Sequence, residues 1–315
     1  MLTVNRILLA RDFSDVSDQA LRYAVDLARR FDATLHLLYA EVLHKDPFGA
    51  DTAGAGDTLS AQIRERLAQD VDQMPLVKRY PELDTVIDVR RDVAAAPAIM
   101  EYAEDEGVDL IVMGTHGRRG VRRLLLGSVA EEVVRRADRP VLTVRKDGDN
   151  GLPAMERLLV PIDFSTYSRD ALRHAIELAR LYDARLDLLH VVEETLHPAF
   201  YVGGVQSIYD VQPDIDATSK RRMREMLDDL TGVDSVHAEL HVETGRAARK
   251  IVRFAERTRS NLLVMSTHGL TGLEHFMMGS VAEKVVRHVA APVLTVKAFG
   301  HSLLPASEAA DTATS

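Results

Sequence analysis

The chain has 315 residues, a formal net charge of −9, no cysteine and no tryptophan. At about 150 residues per domain this is room for two domains, each large enough to bury a core. The absence of cysteine excludes disulfides, thiol nucleophiles and cysteine-ligated metals, and the acidic balance with only 5% aromatic residues argues against nucleic acid and anionic membranes as partners.

In chain order, Asn5–Ala10 reads as a strand. Ser17–Phe31 reads as a helix, with apolar residues at Ala20, Leu21, Ala24, Val25, Ala28 and Phe31 and with Ser17 as its N-cap. Thr34–Ala40 reads as a strand, Asp51–Asp57 as a glycine- and alanine-rich loop, Leu59–Met74 as a helix and Thr85–Val89 as a strand. A helix over Ala96–Glu106, ended by Gly107, precedes the strand Leu110–Met113. The helix Ser128–Ala137 and the strand Val141–Val144 complete the series. The same order starts again at Arg157, about 150 residues on, a period that fits a whole domain and not a solenoid unit. The expected organisation is one domain over 1–146, a second over 155–299, a linker at 147–154 and a disordered polar tail at 300–315. Alternating strands and helices imply parallel sheets with helices on both faces. No stretch approaches the roughly 18 apolar residues of a membrane span. The first apolar run, Ile7 to Ala10, is too short for a signal peptide, so a cytoplasmic protein is expected.

Ligands of open parallel sheets sit at the carboxyl ends of strands, where the strand order reverses. After the strand Leu110–Met113, the residues Gly114, Gly117, Gly127 and Ser128 give the spacing G-x2-G-x9-G-S. Glycines there let a backbone approach a ligand, and the helix beginning at Ser128 presents free N–H groups to an anion, so the loop reads as a phosphate cradle. The same glycines would equally punctuate a strand–loop–helix turn. The second copy carries Ser266, Gly269, Gly279 and Ser280. If the position of Ser266 needs a positive φ, a serine there costs about 1–2 kcal/mol. Arg118, Arg119, Arg122 and Arg123 lie in the first loop, where the second has Leu270, Thr271, Glu274 and His275. The first copy is therefore expected to bind phosphates better.

Asp12 and Asp163 each follow the first strand of their copy and suit a ribose or a base as hydrogen-bond acceptors; capping of the next helix by Asp12 or Ser14 is the competing reading. Backbone groups near Ala40 and Val191, at the ends of the second strands, are placed to read an adenine edge. No Walker loop, dinucleotide fingerprint or nucleophile elbow is present, and no metal-ligand spacing stands out.

The segments VPIDFS, A-L-x-x-A, MGTHG and RPVLTV, with the glycine spacing, together resemble the universal stress protein family in its tandem form. The resemblance implies an α/β fold of two open parallel five-stranded sheets, each in the order 3-2-1-4-5. That is a Rossmann-like arrangement of the adenine nucleotide alpha hydrolase type. It implies ATP, with Mg, held by Asp12, Gly114, Gly117, Gly127 and Ser128 in one copy, and by Asp163, Gly269, Gly279 and Ser280 in the other. It also implies pairing of Val141–Val144 with Val293–Val296 as an intramolecular pseudo-dimer, a possible homodimer, and an unknown protein partner regulated by nucleotide occupancy. A nucleotide-independent interaction module or chaperone-like scaffold is the alternative. With no evident base, any chemistry is limited to slow ATP hydrolysis or autophosphorylation at Ser128.

Overall fold

The computed structural model describes residues 1–42, 53–73, 75–115, 126–145, 153–193, 207–232, 236–269, 278–297 and 299–305. The chain divides into two units. One holds Thr3–Pro153 with Phe299–Ala309, and the other holds Met1–Leu2, Ala154–Ala298 and Ala310–Ser315.

In the first unit the elements are β1 (Arg6–Arg11), α1 (Asp15–Phe31), β2 (Thr34–Val42), α2 (Ala53–Gln73), α3 (Pro75–Lys78), β3 (Thr85–Asp92), α4 (Ala95–Asp105), β4 (Leu110–Gly114), α5 (Ser128–Arg136) and β5 (Val141–Val144). All described pairings are parallel, in the order β3-β2-β1-β4-β5. Ile7, Leu8 and Leu9 are consecutive and fully buried, because helices cover both faces and a central parallel strand has no solvent side. α1 buries its stripe Ala20, Leu21, Ala24, Val25 and Ala28 against this sheet.

The second unit repeats the plan with β6 (Arg157–Ile162), α6 (Thr166–Tyr182), β7 (Arg185–Val192), α7 (Ile208–Val211), α8 (Ile215–Thr231), β8 (Ala238–Thr244), α9 (Ala247–Thr258), β9 (Leu262–Ser266), α10 (Ser280–His288) and β10 (Val293–Val296). Its order is β8-β7-β6-β9-β10, again parallel. Each chain path runs from the first strand to one side and returns on the other. This places a crevice at the carboxyl ends of β1 and β4, and of β6 and β9.

Several local expectations change. The N-cap of α1 is Ser14, whose side chain accepts from the Ser17 N–H at 3.2 Å. Ser17 is instead buried inside the first turn. The expected loop Asp51–Asp57 is helical from Ala53, since alanines flanking Gly54 and Gly56 offset the roughly 1 kcal/mol that a helical glycine costs. The tail expected to be disordered is ordered over 299–305, and 306–315 lie outside the described residues. Leu303 and Leu304 are 3% and 7% exposed, and the Thr3 N–H donates to the Leu303 carbonyl at 2.7 Å. Two buried leucines and a backbone bond outweigh the polar composition of the rest.

Leu303→Asp should therefore lower the stability of the first unit, as should truncation after Phe299. Each buried leucine is worth about 1.5–3 kcal/mol. The loss is capped by the docking energy of the tail, so the two changes should shift the urea midpoint alike and not add. An unchanged midpoint on truncation would show that the tail does not dock in solution.

Candidate functional site

The crevice of each unit starts from a three-residue turn. Asp12 follows β1, and its Oδ1 accepts from the Ser14 N–H at 3.1 Å and from the Ser14 hydroxyl at 2.6 Å. In the second unit, Oδ1 of Asp163 accepts from the Ser165 N–H at 3.0 Å and from its hydroxyl at 2.5 Å. Ser14 and Ser165 in turn cap α1 and α6. The residue between is forced into the left-handed region, with Phe13 at φ 61° and Phe164 at φ 65°. A bulky residue there is an outlier that persists only when its surroundings over-determine it. Here the aspartate and the cap do so from both sides. The aspartate thus does not cap the helix itself; it orients the residue that does.

The phenylalanine rings build a layer beside the aspartates. Phe13 lies 5.4 Å from Tyr39, with the Arg66 guanidinium 4.5 Å above its centroid. Phe164 lies 4.5 Å from His190, with Arg222 at 4.0 Å. Such cation–π contacts are worth about 0.5–2 kcal/mol. Burial pushes the His190 imidazole below its ordinary range, and the nearby Arg222 acts in the same direction. The neutral ring fits a donor role for Nδ1 toward the Ile162 carbonyl at 2.8 Å. Ala40 and Val191, the residues after Tyr39 and His190, are half-buried strand residues paired with Arg90 and Glu243. Sequence reasoning missed the Phe13 and Phe164 rings, although the repeated Asp-Phe-Ser triplet was the available signal.

The glycines have separate jobs. A Cβ on Gly269 would stand 2.6 Å from Oδ2 of Asp163, so only glycine lets the backbone after β9 cross this close to the carboxylate. Gly127 and Gly279 are the N-caps of α5 and α10, and neither helix start has a side-chain cap bond. Their N–H groups donate to the Thr115 and Thr267 carbonyls at 2.6 and 2.8 Å, pinning each helix start to the end of β4 or β9. Ser128 and Ser280 are therefore the first helical residues, not caps, and both are exposed. Gly114 serves packing: its Cβ would lie 2.9 Å from Cγ1 of Val16 and 3.3 Å from the Ser17 nitrogen in α1. Gly117 and the four loop arginines lie outside the described residues.

The condition for strain at Ser266, a positive φ, is not met. Ser266 ends β9 in register with Val296, its φ is not positive, and its buried Oγ accepts from the His268 N–H at 3.2 Å. Where the first repeat has Val16 the second has Tyr167, whose ring lies 6.0 Å from that of His268.

Arg11 is turned to α1 and α2 and lies 5.8 Å from the Phe13 ring. Its guanidinium is 2% exposed and binds Ser17 Oγ at 3.0 Å, Asp18, and Asp70 of α2 at 3.6 Å. Ile162 holds its place in the second repeat and is likewise buried.

A profile of the universal stress protein family matches residues 3–145 and again 155–297. The chain belongs to the universal stress protein family, in its tandem form. A universal stress protein of Mycolicibacterium smegmatis is 26% identical to this chain over 297 residues, which is 92% of this chain and 96% of that one. One from Methanocaldococcus jannaschii is 38% identical over 144 residues, 45% of this chain and 82% of that protein. The crystal structure of a universal stress protein from Archaeoglobus fulgidus covers 95% of this chain at 22% identity with a TM-score of 0.66, which shows the shared fold. No described helix of this family member is long and apolar enough to cross a membrane.

Two repeat-swapping tests follow for this universal stress protein. Arg11→Ile imports the second repeat's residue; the carboxylates it releases, on Asp18 and Asp70, are 52% and 35% exposed and regain water. Urea unfolding should place the variant within about 1 kcal/mol of the parent or above it; a loss of several kcal/mol would contradict this. His174, buried in α6, is pushed down to about 4 by burial. Below its ordinary 6.5 the unfolded chain takes up a proton that the folded chain refuses. Stability is thus intact above pH 6.5 and falls toward pH 4, by about 3 kcal/mol from His174 alone. His174→Tyr, the residue of the first repeat, should flatten the fall in urea midpoint over that interval.

Proposed function

We propose that each crevice holds one ATP and that occupancy reshapes the loop after β4 or β9, changing the surface offered to a protein partner in a stress response. The observation that carries this reading is the approach of Gly269 to the Asp163 carboxylate. Glycine at that point keeps Oδ2 within reach of the loop, and any side chain would fill the space. Oδ1 is engaged by the serine, so each aspartate is oriented as a hydrogen-bond acceptor, suited to ribose hydroxyls. The uncapped starts of α5 and α10, pinned beside the strand ends, suit the phosphates through free N–H groups and the helix dipole. A magnesium ion would accompany the phosphates. The Phe13–Tyr39 and Phe164–His190 layers offer flat, cation-backed surfaces for adenine.

Because Ser266 is unstrained, a difference in affinity between the two sites rests on the four arginines of the first loop. An aspartate whose Oδ1 is held by serine is arranged to accept hydrogen bonds, which supports binding ahead of hydrolysis. A ligand acts as a switch only through different affinities for two states, so the loops 116–125 and 270–277 are where exchange should change.

Calorimetry on the whole chain should give two ATP per chain. Asp12→Asn and Asp163→Asn keep the serine-binding oxygen and exchange the other for a donor. Each should weaken its own site about 10- to 100-fold, equivalent to about 1.4–2.7 kcal/mol, and reduce the observed stoichiometry to one. ATP at about 100 times Kd should add about 2.7 kcal/mol of stability per occupied site. No heat and no ATP-dependent melting shift would overturn the reading in favour of a nucleotide-independent interaction module.

A further inference from the structure

A second concave surface lies in the second unit, toward the amino ends of the strands and away from the crevice. It is a shallow groove of about 580 Å3 between α8 and the edge strand β8, lined by Lys220, Arg221 and Arg224 on one side and by Ala238–His241 on the other. We propose that this groove binds a small anion carrying linked phosphates.

Charge is the first argument. The chain as a whole is at −9, yet three cations gather here. Among the described residues none of the three meets a carboxylate; Arg221 donates only to Thr218 Oγ1, at 3.4 Å. The acidic groups of the strand wall are already neutralised. Arg157 grips Asp187 with Nε and Nη2, the latter at 3.1 Å, and Arg185 Nη2 bridges Asp187 at 3.5 Å and Glu239. Burial would raise the Asp187 carboxyl, but hydrogen bonds from Arg157 and His241 hold it below the usual carboxylate range. With these carboxylates paired, the three helix cations are the lining charges without an ion-pair partner among the described residues.

The same network decides against a metal. Asp187, Glu239 and His241 bring ligand atoms within 4.8 Å of one another, close enough for a cation. Both carboxylates, however, already hold guanidinium groups, and Arg185 Nη2 stands between them. A metal would have to displace it. The cluster instead orients His241, whose Nε2 lies 3.0 Å from Asp187 Oδ1 and whose ring packs 4.7 Å from Phe254.

Size and comparison sharpen the ligand. The volume lies in the small-molecule range. Lys220 and Arg224 are one turn apart, about 6 Å along the helix, a span that suits linked phosphates over a single one, with charge-assisted hydrogen bonds to each. In the first repeat the strand register places Asp88 where His241 stands. Asp88 binds Arg64 at 2.6 Å and Arg90 at 3.2 Å, so the corresponding helix cation is consumed. The cation arrangement thus differs between the repeats among the described residues, and the groove is independent of the nucleotide reading above.

The test is titration of the full chain with inorganic tripolyphosphate, followed by hydrogen exchange and calorimetry. Protection should appear over 220–224 and 238–241. The triple variant Lys220→Ala/Arg221→Ala/Arg224→Ala removes exposed side chains only and should bind about tenfold or more weakly with that protection lost. Arg221→Lys/Arg224→Lys should retain most of the binding. Should the triple variant misfold, Arg224→Gln alone should still weaken binding several-fold. Unchanged affinity in these charge-removing variants would overturn the proposal. So would protection confined to the starts of α5 and α10, which would assign the anion to the nucleotide crevices.

Discussion

A carboxylate that accepts both the N–H and the hydroxyl of the serine two residues on ties each first strand to the helix after it. The rest of each crevice follows from that link. The serine, so held, caps the helix; the residue between is driven to a positive φ; and its ring is thereby turned onto the end of the second strand. Hydrogen bonds to a charged acceptor contribute about 1.5–3 kcal/mol each, enough to hold a phenylalanine in a conformation that would otherwise cost about 1–2 kcal/mol. Through Oδ1 the aspartate is therefore structural in both repeats.

The two repeats keep this device and differ around it. Arg11 ties β1 to α1 and α2 through Ser17, Asp18 and Asp70. In the second repeat Ile162 replaces it, and Arg169 of α6 reaches Asp229 of α8 directly, at 3.5 Å. The same pair of helices is joined, once through a buried strand residue and once across the surface. Gly114 and Ser266 differ as well: the glycine lies against the first turn of α1, and the serine hydroxyl accepts from the His268 N–H.

The amino ends of the strands tell the opposite story. There the repeats share register and little else. The first repeat buries His36 against Tyr102, with Nδ1 2.9 Å from the hydroxyl, where the second has Asp187 among two arginines and His241. An internal ion network costs desolvation and stabilises little by itself. Its consequence is local: it pairs the acidic groups of the strands beside α8, so that among the described residues they form no ion pair with the helix cations.

The sequence by itself determined the doubled domain, the parallel α/β class and the family, because repeats, apolar runs and helical periodicity are properties of the chain read in order. It also singled out the aspartates and the glycine–serine helix starts. It misjudged Ser17 and the start of the tail, since each judgement rested on a residue type without its neighbour. That Gly269 faces a carboxylate while Gly114 faces a valine was decided only by tertiary structure. So was the burial of Leu303 and Leu304 and the gathering of three helix cations beside an edge strand. These depend on which distant residues meet across a strand–helix interface, and a contact between segments remote in sequence leaves no periodic trace in either one.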